Sequence, residues 1–181
     1  MIQMKMNAPK MTGLMLAAIT LMVSCKEGPK TAEDPTPVEA VTAQDGGIGF
    51  RESGTNQVFE AYLDLKDALV ASDPLAAESA ATQMLRAPGL DNPAVREELE
   101  TFLSAEGIEG QRESFSSLVA KLEPVLRDHL STGTVYKQFC PMAFNNTGGY
   151  WFSDSEEIRN PYFGDKMLKC GKVDDRLVAQ P

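Results

Sequence analysis

Histidine is almost missing from this chain: His129 is the only one in 181 residues. One imidazole cannot build the two- and three-histidine sites of catalytic zinc, and it leaves any Ser-His or Cys-His constellation a single possible base. The chain also lacks a glycine-rich phosphate loop, a nucleophile elbow and a His-Glu-x-x-His run. Together these absences argue against an enzyme. Basic side chains are in deficit as well: 17 Lys and Arg stand against 26 Asp and Glu, for a net charge of −9. A chain so acidic, without clustered Lys and Arg, does not suit a polyanion, which excludes nucleic acid as a partner. Long apolar runs are scarce. Leu14 to Val23 (LMLAAITLMV) is ten residues, about half of the roughly 20 that a membrane-crossing helix needs. Three cysteines and one tryptophan complete the short supply.

What is present begins with targeting. Lys5 and Lys10 precede the ten-residue apolar run, which ends Met22-Val23-Ser24-Cys25. Basic region, short apolar region and a small residue before cysteine match a bacterial lipoprotein signal, so residues 1–24 are expected to be removed and Cys25 lipidated. The expected location is the bacterial cell envelope, anchored through lipid and facing the periplasm or on the outer membrane. Removal takes two lysines away and leaves the mature chain near −11. Residues 25–55 carry prolines, charges and few apolar side chains, and read as a flexible tether without regular structure until about Thr55.

From Asn56 the pattern turns helical. Val58, Tyr62, Leu65 and Leu69 step by four, three and four, with Phe59, Leu63 and Val70 widening the stripe. Asp73-Pro74 and Asn92-Pro93 each read as an N-cap followed by proline at the first helical position. They open an alanine-rich second helix to about Ala87 and a third to about Ala105. The fourth runs from about Glu109 to Leu130 with Phe115, Leu118 and Leu122 inward and Pro124 as a point of kinking. The fold class is therefore mainly α: an up-down four-helix bundle, with a C-terminal loop-rich, aromatic segment packed on it. The domain is expected over residues 56–175, with 176–181 as a tail. In the C-terminal segment, short strands are expected at Val135 to Phe139 and Tyr150 to Ser153, and single helical turns at Asp154 to Ile158 and Asp165 to Leu168.

The chemistry gathers between Tyr136 and Val173. Cys140-Pro-Met142 and Met167-Leu-Lys-Cys170 form two sulfur-bearing arms around an aromatic, turn-rich middle. Proline fixes the first arm, and one helical turn would set Met167 and Cys170 on one face. Two thiols and two thioethers suit Cu(I), a soft ion, and do not suit zinc, which prefers Cys and His. The candidate metal ligands are Cys140, Met142, Met167 and Cys170, with His129 as an additional nitrogen donor. The alternative is a Cys140–Cys170 disulfide, at home in an oxidising compartment. It would close a loop of about 30 residues and contribute about 3.5 kcal/mol. Trp151, with Tyr150 and Phe152, reads as an anchor docking the segment on the helices, or as an aromatic surface for an envelope partner.

The runs YLDLKDALVASD at 62–73 and FCPMAFNNTGGYWFSDSEEIRNPYFGDKMLKCG at 139–171 resemble a bacterial envelope family of unassigned function. Its domain occurs alone in secreted or lipidated proteins and also fused to the C-terminal end of periplasmic adaptor subunits of heavy-metal (copper) efflux pumps. The resemblance covers roughly residues 56–175. It implies copper handling, with the matching sulfurs at Cys140, Met142, Met167 and Cys170, and an efflux adaptor or other envelope protein as partner.

Overall fold

The structure, a computed structural model, describes residues 47–179. The signal segment, Cys25 and most of the tether lie outside the described residues. Four helices follow one another: α1 (Ser53–Val70), α2 (Pro74–Arg86), α3 (Pro93–Ser104) and α4 (Gly107–His129). Each packs on the next in sequence. The caps form where proline marked them. Asp73 accepts from the Leu75 and Ala76 N–H groups, and Asn92 from those of Ala94 and Val95. Each such cap contributes about 1 kcal/mol. The stripes are buried as the spacing requires: Val58, Tyr62, Leu65 and Leu69 of α1 face Phe115, Leu118, Leu122 and Leu126 of α4 in one core. Gly54 and the Pro88-Gly89 turn touch backbone to backbone. A Cβ on Gly54 would stand 2.4 Å from the Gly89 Cα, so neither position admits a side chain.

The fold is mainly helical, but it also contains antiparallel strands, and there it departs from the sequence reading. Residues before Thr55 are not all irregular: β1 (Gly49–Phe50) pairs with β2 (Leu130–Thr132), and α1 starts at Ser53. Asn56 makes this possible. Its side-chain oxygen accepts from the Phe50 N–H, and its amide donates to the Phe50 and Glu52 carbonyls. The C-terminal segment is not mainly loop. It builds a three-stranded sheet in the order β4 (Gly149–Ser153), β3 (Thr134–Cys140), β5 (Lys172–Val178). β5 reaches past residue 175 into what reads in sequence as a tail. Lys172, Asp174, Asp175 and Arg176 make four of its seven residues charged, which hid it from apolar alternation and suits an edge strand.

Two other local expectations are corrected. Asp154 to Ile158 forms bends and no helical turn, its carboxylates being drawn into ion pairs of Glu156 with Arg176 and Glu157 with Lys169. The second helical turn sits earlier than expected, as a single 3-10 turn at Gly164–Lys166.

The sheet has two different faces, and paired residues on adjacent strands share a face. Lys137 with Phe152 and Phe139 with Tyr150 lie on one face; Tyr136 with Ser153, Gln138 with Trp151 and Cys140 with Gly149 lie on the other. On the helix side, the Tyr62 hydroxyl accepts from the Phe152 N–H at 2.8 Å, and Lys137 pairs with Glu123 at 2.7 Å. Partial burial pushes the Glu123 carboxyl up, but hydrogen bonds from Lys137 and Arg127 outweigh it and hold that carboxyl below its usual range. Residues 154–171 form a strap over the far face. Gln138 reaches up from β3 and donates to the Ser155 and Glu157 carbonyls.

Candidate functional site

The strap folds back so that both arms meet. Cys140 closes β3, Cys170 precedes β5, and their sulfurs lie 3.2 Å apart. Antiparallel pairing of β3 with β5 brings this about. Phe139 stands opposite Lys172, which places the two cysteines at the same end of adjacent strands. Asn160 fixes the strap at this point. It is fully buried; its amide donates to the Cys170 carbonyl at 2.8 Å, its side-chain oxygen accepts from the Tyr162 N–H at 2.8 Å, and its own N–H reaches Leu168. The Asn-Pro pair therefore brackets the site as well as turning the chain.

The thiols differ in their surroundings. Cys140 is fully buried, whereas Cys170 is half-buried at the end of a turn closed by its N–H on the Met167 carbonyl. The hydrogen bond shared with the Cys140 sulfur and burial push the Cys170 thiol up; the Met142 backbone N–H pulls the other way. Met167-x-x-Cys170 is thus a hydrogen-bonded turn and not the helical turn expected from the spacing. Tyr162 packs beside the pair. Burial pushes its phenol well up, the Cys140 sulfur adds to this, and its hydroxyl donates to the Tyr150 carbonyl. Trp151 is fully buried, edge-on to Tyr162, and a Cβ on Gly171 would stand 2.8 Å from its ring.

Met142 is nearly half exposed, at 47%. It rims a cleft of about 430 Å³ shared with Glu113, Ala143, Asn145 and Tyr162. The chain leaves Met142 through Phe144, Asn145 and Asn146, all with positive φ, at 50°, 56° and 68°. Asparagine adopts this conformation at modest cost, but phenylalanine does so at about 1–2 kcal/mol. The Phe144 ring is held edge-on to Tyr162 at 5.0 Å, and Gly148 N–H bonds to the Ala143 carbonyl. Strain of this sort concentrates at sites whose surroundings over-determine them.

Two sequence expectations fail here. His129 does not join the sulfurs. Its ring faces the Glu52 carboxylate at 3.8 Å and lines a groove with Asn92 and Pro93 of α3, because α4 ends before β3 has carried the chain to Cys140. Trp151 and Phe152 offer no aromatic surface to a partner. Both are wholly buried, and only Tyr150 of that run is open, at 38%. Among the described residues no group of three or more His, Cys, Asp and Glu could hold a metal ion. Two thiols with no third His, Cys, Asp or Glu of the described residues beside them do not make up a four-ligand zinc set, and their sulfur is a soft donor.

Arg112 is the residue that sequence reasoning missed. It sits on the buried stripe of α4, three residues before Phe115, with its side chain almost wholly covered. Its guanidinium donates to the Pro161 carbonyl at 2.9 Å, the Leu69 carbonyl at 3.2 Å, Ser72 Oγ at 3.0 Å and Glu109 at 2.9 Å. One side chain thus joins α1, α4 and the strap. The available signal was an arginine at a core position of the heptad-like spacing.

These same helices carry the comparison with known proteins. A family model described as a protein of unknown function (DUF3347) matches residues 58–132. That span covers α1 through β2 and stops short of the thiols, which reach it through the aromatic run Tyr62, Phe115, Tyr162 and Trp151. No curated protein and no solved structure matches the chain. No helix among the described residues is long and apolar enough to cross a membrane.

Proposed function

We propose that the chain is a lipid-anchored protein of the bacterial envelope that binds a soft metal ion, most readily Cu(I), as a buffer or relay for metal efflux. In this reading the four helices act as an up-down bundle, and the strap and sheet carry the site. The support is the approach of Cys140 and Cys170 to 3.2 Å, with Met142, two residues from Cys140, nearly half exposed. Methionine, with three rotatable bonds, can adapt to an ion held by the two thiols, and Met167 is the fourth sulfur within the same turn. A bound soft ion would supply the positive charge that lets both thiols give up their protons. Cys25 and the lipid anchor rest on the N-terminal signal, and the efflux adaptor as partner on the family resemblance. No catalytic role is assigned.

The same proximity favours a second reading, a Cys140–Cys170 staple in a metal-free envelope module. A disulfide needs sulfurs about 2.05 Å apart, whereas two thiolates on one ion at about 2.3 Å each are held roughly 3.8 Å apart or more. The observed 3.2 Å lies between them.

The test uses the full chain with Cys25→Ser, reduced, titrated with Cu(I) against a competing chelator. One ion per chain is expected, with affinity reduced about a hundredfold, or ~2.7 kcal/mol, by Cys140→Ser. Met167→Leu is expected to cost less, about tenfold. Unchanged affinity in both variants would remove the metal site, and thiol counting on freshly isolated protein would then decide for or against the staple.

A further inference from the structure

The two sulfurs are not equivalent to anything arriving from solvent. Cys140 has no exposed surface; it ends the central strand, paired in register with Gly149 and flanked by Tyr162. Cys170 is part-open, and its backbone is held from both sides, by Asn160 at its carbonyl and Met167 at its N–H. A reagent meets Cys170 first. Cys140 can be reached only through Cys170, whose sulfur is 3.2 Å away.

We propose that Cys140 and Cys170 are an ordered thiol pair that exchanges with external disulfides, Cys170 bonding to the incoming molecule and Cys140 resolving the adduct. The activity uses the cysteines of the metal reading but needs no metal. In the oxidising direction Cys170 releases its proton to solvent and its sulfur attacks one sulfur of a disulfide R–S–S–R. That bond breaks, the first RS⁻ leaves and takes up a proton, and R–S–Cys170 remains. Cys140 then loses its proton and attacks the Cys170 sulfur. The bond from Cys170 to R–S breaks, the second RS⁻ leaves and is protonated, and the Cys140–Cys170 bond is formed. Two electrons have passed from the pair to the disulfide, which ends as two thiols. In the reverse direction an external thiolate attacks the Cys170 sulfur and Cys140 departs. Either way the same sulfur bonds to the partner. The substrate class is a small or protruding disulfide, because Cys170 is only part-open.

What the fold provides is order and not unusual reactivity. The strap supports this order: with Asn160 and Arg112 holding it down, Cys140 has no path of its own to solvent.

The experiment uses the full chain with Cys25→Ser, so that only the pair is counted. The reduced protein is mixed with 5,5′-dithiobis(2-nitrobenzoate), an aromatic disulfide. The pair should release two equivalents of thiol and retain no adduct by mass. With Cys140→Ser, one equivalent is released and the adduct stays on Cys170. With Cys170→Ser, Cys140 reacts at least about tenfold more slowly than Cys170 does alone. Substoichiometric reagent followed by acid quench and peptide mapping of the unsubstituted pair reads the order without relying on a variant's folding; the transient adduct should be on Cys170. An adduct on Cys140, equal rates for the two single thiols, or two stable adducts with no internal bond would overturn the proposal. None of these results bears on Cu(I) affinity, so the metal reading stands or falls separately.

Discussion

Arg112→Met is expected to destabilise the fold by about 1–3 kcal/mol. Methionine keeps helix propensity and an apolar stem of similar reach, so the change removes donors and little volume. The buried Pro161 carbonyl would lose its donor, whereas the Leu69 carbonyl keeps the Ser72 N–H and the exposed Ser72 hydroxyl can turn to water. An orphaned buried acceptor costs about 1–3 kcal/mol. The Glu109 pair adds little, because that carboxylate is 70% exposed. Urea unfolding followed by circular dichroism should give a lower midpoint with an unchanged slope. The strap should loosen too, so Cys140 should react with a thiol reagent while the protein is still folded. A loss below about 1 kcal/mol would mean that the strap is held by its aromatic contacts alone.

Trp151→Ala carries the other large effect, about 3–5 kcal/mol, from the cavity it opens between β4 and the strap. Its side chain is fully enclosed, with Tyr162 edge-on at 6.0 Å and Gly171 against the ring. Gly171 has φ 150° and directly follows Cys170, so an empty space beneath it frees the second sulfur arm. Trp151→Phe separates packing from hydrogen bonding. The indole N–H has no partner among the described residues, and neither has the side-chain oxygen of Gln138 opposite it in register. Phenylalanine therefore loses no hydrogen bond and should cost only about 1–2 kcal/mol. Comparable losses for Ala and Phe, read from thermal unfolding, would show that the indole N–H matters and that the cavity does not.

The helices were legible because their signals are local. Asp73-Pro74 and Asn92-Pro93 set two starts by cap chemistry, and the α1 and α4 stripes are periodic enough to fix a buried face. β3 and β4 were legible for a similar reason, their aromatic side chains lying within short runs bounded by turn residues. β5 was not, because an edge strand of KVDDRLV owes its existence to pairing with β3 and not to its own composition. The convergence of Cys140 and Cys170 followed from treating two sulfur arms as one site. The failure of His129 to join them depends on where α4 ends relative to a sheet that the sequence reading did not contain. Arg112 and Asn160 went unrecognised as organisers because their partners are main-chain carbonyls and N–H groups distant in sequence, which no motif records. Lys66 shows the same limit on a smaller scale. It reads as an exposed position yet is buried, with its ammonium turned back to Asp67 at 3.0 Å.

The central claim is that the sulfurs of one strand end and one strap end act as a single site. X-ray absorption at the copper edge on the Cu(I)-loaded full chain with Cys25→Ser tests it most directly. A first shell made of sulfur alone, which loses a sulfur when Cys140→Ser is added, is the predicted result. A shell of nitrogen and oxygen, or one that Cys140→Ser leaves unchanged, would contradict it.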